Sequence, residues 1–179
     1  MISLLGLLLW FTALVAGTND PTTDSLDPPV RLPEKSYRFL AHNGKGAVQF
    51  PDKPKESKRT VRIGGSLVTL RLATYATVNG DIFLFGYVDL PAEPKHVDAV
   101  LQGIHEGLIR DNPTIQQSKL AFGEEKLPGL EVTWSKDNKH MVCRYILHKK
   151  RLYQIMVFGS RQFVTSNAAR AFLESLTIE

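Results

Sequence analysis

The residues able to do chemistry are few and widely spaced. They are five histidines (His42, His96, His105, His140 and His148), a single cysteine (Cys143), and scattered carboxylates at Asp81, Asp89, Glu93, Asp98 and Glu106. A zinc site needs ligands that converge at bonding distance. His96 and His105 sit on one predicted helix, but nine positions at about 100° each turn them to opposite faces. His140 and Cys143 stand three apart in a predicted strand, again on opposite faces. Asp98 and Glu106 share a helix face two turns apart and read as solvated charges. Nucleophile motifs are missing too: there is no Gly-x-Ser-x-Gly elbow, no His-Glu-x-x-His, and no Ser-x-x-Lys with its companion motifs. Gly64-Gly65-Ser66 starts like a phosphate loop, yet lacks the following lysine and the helix N-terminus that would hold an anion. The expectation is no catalytic set, no metal site and no cofactor.

Concentrated positive charge is what remains. Lys149-Lys150-Arg151 occupies a predicted hairpin tip, and Lys53, Lys55, Lys58 and Arg59 fall in or beside a predicted polar loop, Asp52–Lys58. Solubility and edge protection account for such charges at little cost. The functional alternative is a contact for an anionic partner at Lys149, Lys150 and Arg151. Arg151 has a further option, to pair with a nearby acid and set the edge of its strand. Net charge is +4, unevenly placed: Thr18–Lys35 carries four acids and two bases, so the remainder stands at +6. That suits an acidic protein or envelope surface and falls short of a nucleic-acid binder's footprint.

Period-two patterning dominates the elements that must position these residues. Strands are predicted at Tyr37–Ala41, Gly46–Phe50, Arg59–Ile63, Leu67–Thr77, Asp81–Leu90, Ile115–Phe122, about Leu130–Ser135, Met141–Leu147 and Leu152–Phe158. Asp81–Leu90 is apolar on both faces, the mark of an interior strand. Asn79-Gly80 predicts a type I′ hairpin turn, because both residues accept positive φ. Val97, Val100, Leu101, Ile104 and Leu108 mark one face of a helix over Lys95–Arg110. A closing helix over Ser166–Leu176 is capped by Thr165 or Ser166. Strands in hairpin succession with two principal helices indicate an α+β fold, a mainly antiparallel sheet of about six to eight strands.

Hydrophobic content of 43% and charged content of 22% belong to an ordinary globular chain. Met1–Gly17 reads as a signal peptide: its apolar run is short of the roughly 20 residues of a membrane span, and Val15 and Gly17 supply a small-residue cleavage boundary. An uncleaved membrane anchor is the alternative, since no Lys or Arg precedes the run. Thr18–Ser36, with four prolines, reads as a linker or strap, and residues 37–179 as a single α+β domain. One cysteine excludes an internal disulfide, and Cys143 reads as a small buried hydrophobe.

Several stretches, in order, carry a family likeness. They are Phe50-Pro-Asp-Lys-Pro54, Gly80-Asp-Ile-Phe-Leu-Phe-Gly-Tyr-Val-Asp-Leu-Pro91, Pro128-Gly-Leu-Glu-Val132, Arg151-Leu-Tyr-Gln-Ile155 and Ala171-Phe-Leu-Glu-Ser-Leu176. Together they resemble a bacterial exported domain of the PsbP-like superfamily, which includes a lumenal extrinsic subunit of photosystem II and a small Ran-binding nuclear transport factor. The resemblance implies an α-β-α sandwich that binds or assembles with a partner and mostly does not catalyse. It brings no residue-level match to either relative's binding surface. The expectation is therefore a non-catalytic extracytoplasmic module, periplasmic or secreted, whose partner is an unknown protein or an anionic envelope component. The alternatives are a hydrolase-type enzyme whose site is assembled from distant residues, and a purely electrostatic binder of an anionic surface or polysaccharide.

Overall fold

A strand apolar on both faces requires a layer on each side, and Ile82–Asp89 has both. The computed structural model of the protein describes residues 36–63, 65–111 and 114–179, so Met1–Gly17 and nearly all of the predicted strap lie outside the described residues. Its strands are β1 (Tyr37–Leu40), β2 (Gly46–Phe50), β3 (Lys55–Ile63), β4 (Ser66–Ala76), β5 (Ile82–Asp89), β6 (Gln116–Phe122), β7 (Leu127–Lys136), β8 (Lys139–His148), β9 (Arg151–Gly159) and β10 (Thr177–Ile178). The helices are α1 (Val97–Asp111), α2 (Arg161–Val164) and α3 (Asn167–Glu174). Seven strands form one antiparallel sheet in the order β3-β4-β5-β9-β8-β7-β6, and β1-β2-β10 form a second.

Alternation sorts the large sheet's side chains into two cores. On one face Leu72, Leu84, Val88, Met141, Cys143, Leu152 and Met156 pack with Val100, Leu101, Ile104 and Leu108 of α1. Burying those four helix side chains is worth about 1.5–3 kcal/mol each before ordering entropy is charged, ample to dock α1. On the other face Phe83, Phe85, Tyr153, Ile155 and Val157 meet Phe39, Val48 and Phe50 of the small sheet and Phe163, Phe172 and Leu173 of the C-terminal helices. Phe83 packs edge-on against both Phe163 and Phe172, with centroids 5.0 and 5.1 Å away. Ser166 caps α3 by accepting from Ala169 N at 3.2 Å. Arg144 closes the other end of that helix, donating to Leu173 O at 3.2 Å while paired with Glu131 at 2.7 Å. No described helix is long and apolar enough to cross a membrane.

Two local expectations are corrected. Lys55–Lys58 is not loop: β3 pairs with β4 from Lys55↔Thr74 to Ile63↔Ser66. As an edge strand exposed on both faces at that end, it shows no alternation. The Asn79-Gly80 hairpin is not type I′, because only Gly80 has positive φ (79°). Gly80 N donates to Thr77 O and Thr77 N to Asp81 O, at 3.0 and 2.8 Å, closing a three-residue loop that needs a single left-handed position. A pair of positive φ values occurs at Asp137 and Asn138 (48° and 61°) instead, where two residues join β7 to β8. Short α2 and two-residue β10 were not expected. β10 ties the chain's end to β2, Thr177 lying opposite Ala47.

Candidate functional site

The register of β8 and β9 leaves two residues, Lys149 and Lys150, to connect His148 and Arg151. Lys149 takes a φ of 52°, and both lysines are exposed. The turn is held from behind, since Leu90 N donates to Lys150 O at 2.7 Å. Arg151 behaves differently. It is only 6% exposed, and its guanidinium grips Asp89 through Nε–Oδ1 at 2.7 Å and a second nitrogen to Oδ2 at 2.8 Å. The pair is formed by sheet register, because Asp89 on β5 lies opposite Arg151 on β9. Of the basic triplet, therefore, two lysines face outward and the arginine is engaged within the fold.

Arg151 also lies over the Tyr87 ring, 4.9 Å from its centroid, and donates to His42 O at 3.2 Å. His42 N in turn donates to Tyr87 Oη at 2.6 Å, and Tyr153 donates its hydroxyl proton to Lys45 O. These bonds fix the tight 3-10 turn His42–Gly44, which puts Asn43 and Gly44 at φ of 70° and 69°, against the ends of β5 and β9. The turn delivers the exposed Lys45 to the same corner. The Arg151 hydrogen bonds hold the Asp89 carboxyl below its ordinary value, against an opposing push from burial, and the charges of Arg151, Lys150 and Lys45 add to the lowering.

The electrostatic result follows directly. Asp89 and Arg151 neutralise each other, and Lys45, Lys149 and Lys150 form no ion pair among the described residues. The corner thus carries exposed lysines on two hydrogen-bonded turns, Lys45 on one and Lys149 and Lys150 on the other, with Lys45 and Lys150 near enough to act on Asp89. Lys45 escaped sequence reasoning because its turn is tied to the corner by contacts remote along the chain, from His42 to Tyr87 and from Tyr153 to Lys45. Asp89 carried a faint signal, an acid closing an otherwise apolar strand.

The other reactive candidates go elsewhere. Cys143 is fully buried between β7 and β9, and burial pushes its thiol up to about 12. Trp134 is buried on the α1 side, stacked near Phe158 at 6.3 Å. His105 and His148 each keep one buried ring nitrogen without a hydrogen-bond partner. His105 lines an open groove of about 570 Å³ between α1 and the β6–β7 hairpin, with Asp98, Gln102, Gln117, Lys119, Pro128 and Leu130 also on its walls.

Neither comparison with known proteins places the chain in a family. It matches no protein-family model and none of the curated proteins searched.

Proposed function

We propose that the protein is a non-catalytic binding or assembly module that works outside the cytoplasm, and that the corner formed by Lys45, Lys149 and Lys150 contacts an anionic partner. The observation that carries this reading is the gathering of three exposed, unpaired lysines from two separate turns onto one backbone-riveted corner. A surface meant only for solubility has no need of that fixed placement. The PsbP-like sandwich is part of the same proposal: one helix on one face of the large sheet, and the small sheet with two helices on the other, suit the α-β-α arrangement that the sequence likeness implies. Export rests on the apolar leader Met1–Gly17.

The test is binding to vesicles containing an anionic phospholipid, with an acidic polysaccharide as a second arm. Each lysine near an anionic membrane surface contributes about 1 kcal/mol, so Lys45→Gln, Lys149→Gln and Lys150→Gln together should weaken vesicle binding about a hundredfold and flatten its salt dependence. A control removes the same charge from the edge strand β3 through Lys55→Gln, Lys58→Gln and Arg62→Gln. Equal losses from the two triple variants would show that net charge alone binds, and the corner would lose its role.

A further inference from the structure

We propose that the free edge of β6, with the groove beside α1, receives an extended segment of a partner polypeptide as an added strand. This goes beyond the anionic corner and rests on different residues. β6 ends the seven-stranded sheet and pairs only with β7 among the described residues, so its outer edge presents unpaired backbone donors and acceptors. Its seven pairs run without interruption from Gln116↔Thr133 to Phe122↔Leu127, with no proline, glycine or bulge in the strand. At about 3.4 Å per residue that is a regular template of roughly 20 Å.

The two edges of the sheet are guarded unequally. Folded proteins protect exposed edges with charge, lysine above all. β3 follows that rule: it carries Lys55, Lys58, Arg59 and Arg62, and Lys58 lies directly opposite Arg71. β6 carries one charge, Lys119, although each residue of Gln116–Lys119 is exposed. Protection is thus concentrated at one edge, and the other is left competent to pair.

The groove gives that pairing its specificity. Gln117 and Lys119 lie opposite Val132 and Leu130, on the α1 side of the sheet. Every second side chain of an added strand would point the same way and enter the space between β6 and α1. Leu101 and Leu130 offer apolar surface there, while Asp98 on the helix and Lys119 on the strand bring opposite charges to the same groove without pairing to each other. A strand with an acid toward Lys119, a base toward Asp98 and an apolar side chain between satisfies all three. His105 also lines the groove. Strand addition beside a helix supplies affinity through the backbone and selectivity through alternate side chains.

The experiment selects peptides from a random phage-displayed library on the full chain, then measures synthetic copies of the enriched sequences by fluorescence anisotropy and by amide hydrogen exchange. Enriched peptides should slow exchange in Gln116–Phe122, and Asp98→Lys and Lys119→Glu should each weaken them about tenfold or more while the vesicle binding of the lysine corner persists. Ser118→Pro and Lys119→Pro form a paired control, since neighbouring residues of a strand point their N–H groups to opposite edges. The variant that keeps the wild-type melting temperature should lose the peptides. Failure to enrich any peptide, or binding without added protection in β6, would overturn the proposal. So would concentration-dependent dimerisation abolished by the proline variant, which would make a second copy the occupant.

Discussion

Removing either half of the Asp89–Arg151 pair should have unequal cost, and the inequality can be worked from exposure. The Asp89 side chain is 47% exposed, whereas that of Arg151 is 7% exposed. In Arg151→Met the carboxylate left behind rehydrates. The losses are its screened ion pair, the contact over Tyr87 and the bond to His42 O, together about 2 kcal/mol. In Asp89→Ala the guanidinium stays buried without its counter-charge, a situation that costs about 3–5 kcal/mol. Urea unfolding at neutral pH should therefore place Asp89→Ala below Arg151→Met by about 2 kcal/mol, a factor of about 30 in the unfolding equilibrium. The pH dependence has a definite sign. Because the folded-state pKa of Asp89 is lowered, its contribution is complete above the ordinary carboxylate value of 3.8 and is lost as pH falls through the folded value. Arg151→Met should shrink that acid loss. Equal or reversed costs for the two variants would refute the assignment of the buried member to Arg151.

Gly159→Ala should destabilise by about 1–3 kcal/mol or prevent folding, because an added Cβ would lie 2.0 Å from Asp81 Oδ1 and 2.8 Å from Phe163 Cδ1; thermal unfolding measures it. Burial raises the Asp81 carboxyl above 3.8, so this group favours the folded state when protonated, and its contribution is lost as pH rises through the window above 3.8. Asp81→Asn should accordingly remove a loss of stability as pH rises above the ordinary carboxylate value, detectable as a flatter dependence of the urea midpoint on pH. Cys143 should resist a thiol reagent in the native protein at pH 8 and react promptly in urea; fast native labelling would contradict its burial.

What could be read in advance follows from which residues face two environments. β5, β7, β8 and β9 were recognisable because alternation there separates a core from another core or from water. β3 is legible only in its C-terminal half, since its N-terminal half is wet on both faces and its charges resemble those of a loop. α2 and β10 are too short to show a period, and their existence depends on the apolar surface they cover. The candidate site divides in the same way. Lys149 and Lys150 were visible as neighbours in sequence, but the commitment of Arg151 to Asp89 depends on β5 lying beside β9, a pairing no local pattern encodes. The groove at β6 is composed of a helix and a hairpin that come together only by packing.

That same β5–β9 pairing bears on how the chain reaches its fold. β3-β4-β5 and β6-β7-β8-β9 are each simple meanders with short-range contacts, and the large sheet becomes continuous only where these two units join. Val88 meets Leu152 at the seam, after the closure of a loop that contains α1 and three further strands. Closing so long a loop must precede the reward of the contacts it allows, so the seam sets the non-local part of the folding barrier. The two meanders can form early and independently, and the Arg151–Asp89 clasp at the end of the seam then acts as a latch on their union.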